Sequence, residues 1–93
     1  MPKYVVLFNW TEQGIKSFED SPARVDAARE QMASAGVRIT DIYWTIGPYD
    51  LVGVVDADDD EALTKALLGL GAAGNVRTTT MRAFGQDEFT RLL

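Results

Sequence analysis

Trp10, Tyr43, Trp44 and Tyr49 are the side chains best suited to wall a pocket for an organic molecule. Asp50 and Glu12 are the nearby acids that could accept a proton there. Aromatic walls around one titrating carboxylate are the minimum for cofactor-free proton transfer. Asn9 precedes Trp10 and carries an amide that either fastens the following loop or meets a ligand. Tyr43 and Trp44 are adjacent on a strand-like run, so they face opposite ways. One belongs to the helix-side core, the other to the far side of the sheet, and ligand stacking is the alternative for both. Arg77 and Arg82 flank a threonine run. They can clamp a carboxylate through paired N–H donors, or pair with Asp41 or Asp50 across a subunit interface.

"TIGPYDLV", residues 45–52, sets Gly47, Pro48, Tyr49 and Asp50 between two apolar runs. Gly, Pro and Asp are ordinary turn chemistry, so a β-hairpin turn accounts for most of the stretch. Tyr49 and Asp50 are the pair that could also line a pocket mouth. "DADDDE", residues 56–61, lacks the spaced ligands and glycine turn of a calcium loop and reads as a solvated helix start.

The chain has no cysteine and no histidine. Thiolate sites, cysteine nucleophiles and disulfides are excluded, and with them the commonest general base and haem ligand. No metal site and no cofactor are expected. Fourteen acids against nine bases give a net charge of −5, which disfavours nucleic acid as a partner. No apolar stretch approaches the roughly 20 residues that span a bilayer, so no membrane segment is expected. The start of the chain does not read as a signal peptide, and a cytoplasmic protein is expected.

These residues must be held by elements that the patterning predicts. "YVVLFNW" is a strand apolar on both faces, and residues 11–20 read as a loop with one helical turn. "SPARVDAAREQMASAG" is a helix with Ser21 as N-cap, Pro22 in its first turn and Gly36 beyond its end. Val37–Ile46 and Leu51–Ala57 are strands. Asp58 and Glu61 have capping-box spacing for a helix that ends near residue 71, with Leu63, Ala66, Leu67 and Leu70 inward. Asn75–Phe84 is a strand. "QDEFTRLL" is a short helix whose Phe89, Leu92 and Leu93 can dock on the body.

The order β-α-β-β-α-β predicts an α+β, ferredoxin-like plait, a four-stranded antiparallel sheet in one domain over residues 1–93. Its first and third strands lie centrally. Two helices cover one face only, yet the first strand is apolar on both. A second copy is expected on the other face, giving a homodimer or a higher homo-oligomer. The third strand lacks the interleaved aromatics of an RNA-binding sheet.

With "YVVLFNWTEQGI", "SPARVDAAR", "IYWTIGPYDLVGVVDADDDEA" and "GNVRTTTMRAF" together, the chain resembles the GYD-domain family over almost its whole length. The family's Gly-Tyr-Asp corresponds to Gly47, Tyr49 and Asp50. The resemblance implies a dimeric α+β barrel and no established activity. The hairpin is more distantly similar to the effector-binding domain of leucine-responsive regulators, which bind metabolites at subunit interfaces. No helix-turn-helix is expected before the plait. The expected function is an oligomeric small-molecule-binding or accessory module rather than an enzyme. The alternative is a cofactor-independent monooxygenase- or isomerase-like enzyme of the same barrel superfamily.

Overall fold

The computed structural model describes residues 1–93. β1 (Lys3–Trp10) is followed by α1 (Glu12–Lys16), a 3-10 turn over Phe18–Asp20, and α2 (Ser21–Ala33). β2 (Val37–Trp44), β3 (Leu51–Ala57), α3 (Asp60–Ala72), β4 (Val76–Ala83) and α4 (Gln86–Leu92) complete the chain. The sheet order is β2-β3-β1-β4, antiparallel throughout, with β1 and β3 central as the apolar runs predict.

Strand pleat sorts the sheet into two faces. Tyr4, Val6 and Phe8 of β1 and Leu51, Val55 and Ala57 of β3 are buried beneath α2 and α3. Val37 and Ile39 of β2, Met32 of α2 and Leu63 of α3 close the same core. A bulge between Ile39 and Asp41 shifts the register of β2. Ile42 and Trp44 thereby fall on the helix side and Tyr43 on the other.

Several expectations are corrected. The Ser21 side chain does not cap α2: Asp20 is the N-cap, and Ser21 is buried in the first turn. Asp59, not Asp58, caps α3, its carboxylate accepting the Ala62 N–H at 2.8 Å. Residues 11–20 are mostly helical, because Thr11 caps α1 through the Gly14 N–H. α4 packs substantially on no other element and buries none of its residues, so Phe89, Leu92 and Leu93 stay exposed.

α1 is fastened to the loop between α3 and β4. The Thr11 N–H donates to the Asn75 carbonyl at 3.0 Å, and Gln13 Nε2 donates to Asn75 Oδ1 at 3.0 Å. A Cβ on Gly14 would stand 2.0 Å from the Asn75 carbonyl oxygen, so only glycine fits this approach.

Candidate functional site

The hairpin loop Ile46–Tyr49 is closed by the Thr45 N–H donating to the Asp50 carbonyl at 2.8 Å. Gly47 has φ +144°, a backbone state that side-chain-bearing residues rarely adopt. Asp50 then ties the hairpin to β1. Its N–H donates to the Phe8 carbonyl and its Oδ2 accepts the Trp10 N–H, both at 2.8 Å. The carboxylate therefore extends the β1–β3 ladder. Tyr49 sits half-buried beside it.

A cavity of about 60 Å³ lies between the sheet and helices α2 and α3. Seventeen residues line it and fourteen are hydrophobic, among them Val6, Phe8, Met32 and Leu67. Of the predicted aromatic wall, only Trp10 lines this space. Its indole N–H is buried without a partner. The polar side chains on the wall are Ser21 and Arg24, both in the first turn of α2. Ser21 Oγ accepts the Trp44 indole N–H at 3.0 Å. Arg24 donates to the Ser17 carbonyl and hydroxyl at 3.0 Å and to the Gly14 carbonyl at 3.2 Å. Ser21 and Arg24 were not among the predicted site residues. The signal lay in helical spacing, since positions 21, 24, 25, 28 and 32 share one face of α2.

No carboxylate lines the cavity. It offers donors and apolar surface but no proton acceptor on a side chain. Tyr4 stands on the same sheet face at the other end of β1 from Trp10. Its hydroxyl donates to Asp60, and that bond, then burial, raises the phenol above its ordinary pKa. Arg82 lies over the rings of Phe84 at 4.4 Å and Tyr4 at 5.6 Å. Arg77 is five residues away along β4, so it points to the other face, and the two guanidiniums form no common clamp.

The opposite face of the sheet is uncovered. Val5 and Leu7 of β1 meet Val54 and Val52 of β3 in register, with Met81 across from Val5 on β4. Tyr43 of β2, 60% exposed, extends this apolar centre. Its rim is polar: the Lys3–Asp56 ion pair at 2.9 Å marks one end, with Asn9 and Arg77 opposed at the other. No three acidic side chains converge into a metal-sized cluster.

The family model for the GYD domain matches residues 4–93. The chain belongs to the GYD-domain family. A relative from Thermus thermophilus, the glutamine synthetase and cystathionine beta-lyase binding protein, is 34% identical over 84 residues. That match covers 89% of this chain and 88% of the relative. The crystal structure of TTHA0845, also from Thermus thermophilus, is 30% identical, covers 91% of this GYD-domain chain and 95% of its own, and superposes with a TM-score of 0.57. MtbAldR superposes with a TM-score of 0.72 at 17% identity; the match covers 91% of this chain and 52% of MtbAldR. That likeness shows the shared plait. No helix of the chain is long and apolar enough to cross a membrane.

Proposed function

We propose that this GYD-domain protein is a non-enzymatic accessory module whose copies pair through the open sheet face, and whose assembly docks on a metabolic enzyme. The observation that carries this reading is the uncovered face itself, apolar at its centre and charged at its rim, the anatomy of a protein interface. Two magnitudes support it. A compact 10.2 kDa monomer would expose about 5,300 Å², whereas this chain exposes 6185 Å². The excess of about 900 Å² is shared by the bare face, the unpacked α4 and the projecting hairpin, and it leaves apolar surface for a partner to cover. The radius of gyration is 13.6 Å, against about 12.3 Å for a compact domain of this length. The name of the Thermus relative supplies the class of partner.

The cavity on the helix side favours binding over catalysis, because its walls carry no side-chain proton acceptor. A cytoplasmic location is part of this proposal, to be checked by cell fractionation. Sedimentation equilibrium at micromolar concentration is expected to give twice the chain mass or a multiple of it. Monomer alone at that concentration would reject the paired sheet face. Binding to the host's own purified glutamine synthetase or cystathionine beta-lyase, followed by interferometry, is expected to saturate. If neither enzyme binds, the accessory role toward them is lost while the pairing stands.

A further inference from the structure

The walls of the helix-side cavity carry hydrogen-bond donors left over by the fold. Trp10 Nε1–H is buried with no partner. Ser21 is 3% exposed, and its hydroxyl oxygen accepts from Trp44 while its own proton is given to no acceptor in the chain. Arg24 spends three N–H groups on the carbonyl of Gly14 and the carbonyl and hydroxyl of Ser17. A guanidinium has five such donors, so two remain. The chain's ion pairs are Lys3–Asp56 and Lys16–Glu12, which leaves the Arg24 charge without an anion. Buried donors without partners are costly, and a half-buried cation on an apolar wall favours an anion. Apart from one lone pair on the Ser21 hydroxyl, the unused side-chain capacity on the wall is donor capacity.

We infer that this cavity binds a small apolar carboxylate, its tail among the hydrophobic side chains and its carboxylate on the Arg24, Ser21 and Trp10 donors. The cavity of about 60 Å³ has room for roughly four to six water-sized groups, at about 10–15 Å³ each. That suits the tail of a branched-chain or phenyl-substituted acid. An α-amino acid is disfavoured, because no carboxylate on the wall would offset the charge of its ammonium group. The way in runs between the helices. α2 and α3 make no substantial contact with each other. Ala28, Met32 and Leu70 line both the cavity and a groove of about 700 Å³ between those helices. The site lies within one protomer, so it does not depend on whether the sheet faces pair.

The chain has two tryptophans, and so two indole N–H signals in a ¹⁵N-¹H spectrum. Trp44→Phe assigns them. Titration with 4-methylpentanoate is expected to shift the Trp10 signal saturably. The Trp44 signal, held by Ser21, moves far less. The neutral amide 4-methylpentanamide and leucine itself are expected to bind at least tenfold more weakly. Arg24→Gln is expected to weaken the acid at least tenfold. Arg38 is exposed between the buried Val37 and Ile39, and so lies on the open face opposite Asp56 of β3; Arg38→Gln leaves the affinity for the acid unchanged. Because Arg24 also braces the α1 end, Trp10→Phe provides a second variant, read by calorimetry, and it should weaken the acid several-fold without changing the fold. A Trp10 signal unmoved at millimolar acid would overturn the proposal. So would equal affinity for the acid and its amide.

Discussion

Leu7 and Phe8 are neighbours on β1 and look in opposite directions. Phe8 is 7% exposed, under α2 and α3, with Leu51 opposite it on β3. Leu7 stands among Val52 and Thr79 on a face that nothing in the chain covers. One sheet thus carries two apolar surfaces with different tasks. The covered surface supplies the fold's own stability and keeps a donor-lined cavity. The bare one has no partner within the molecule, and covering it requires association. On the proposed pairing, hydrophobic patterning along this strand reports burial in the assembly as well as burial in the chain.

Substitutions can break this contrast. The most damaging is Phe8→Ala, which should cost about 4 kcal/mol of unfolding free energy, measured by urea denaturation, with assembly lost only as folding is lost. Leu7→Asp places a charge at the centre of the bare face. It should weaken self-association at least a hundredfold, about 3 kcal/mol, by sedimentation, while the far-ultraviolet circular dichroism of the monomer is kept. An unchanged assembly in Leu7→Asp would show that the copies meet elsewhere.

Gly14→Ala forces the α1 backbone off Asn75 and should cost about 2 kcal/mol. Asp50→Ala removes the acceptor of the Trp10 N–H and should cost about 1.5–2 kcal/mol, loosening the hairpin that borders both faces. The smallest change is Tyr4→Phe, about 1 kcal/mol for the lost bond to Asp60. That bond needs the protonated phenol, whose folded pKa lies above the ordinary 10.0. Its contribution is complete below pH 10 and is lost as pH rises through the raised folded value. Thermal melts of wild type and Tyr4→Phe should therefore converge only in strong alkali; a difference that persists there would assign the effect to packing.

The strand order was legible in the sequence, because continuous apolar runs separate β1 and β3 from the polar-punctuated β2 and β4. The opposition of Tyr43 and Trp44 was legible too, but its direction was not. Simple alternation from Val37 puts position 43 with the core, and the bulge beside Thr40 reverses it. The choice between Asp58 and Asp59 as cap was hidden, since both acids have the chemistry and only the backbone entry decides. The docking expected of Phe89 and Leu92 failed: α4 packs substantially on no other element, and both side chains stay exposed. Arg24 escaped notice because a charge on α2 reads as solvent-facing until the helical phase is counted. The candidates divide accordingly: Trp10 belongs to the cavity, and Asn9, Tyr43 and Arg77 to the bare face. Trp44, Tyr49, Asp50 and Arg82 act in the frame around them.

The lock between α1 and the loop before β4 also bears on the order of folding. Thr11 and Gly74 are 63 residues apart along the chain, and the Thr11 hydroxyl, donating to the Gly74 carbonyl, joins an early segment to a late one. The β2–β3 hairpin closes a short loop, whereas β1 and β4 meet only after most of the chain is in place. Closing the longer loop costs more chain entropy, and distant pairings form slowly. The β4 edge and its Thr11–Gly74 clasp are therefore expected to be the last part of the sheet to assemble, an order that pulse-labelled amide exchange during refolding would check.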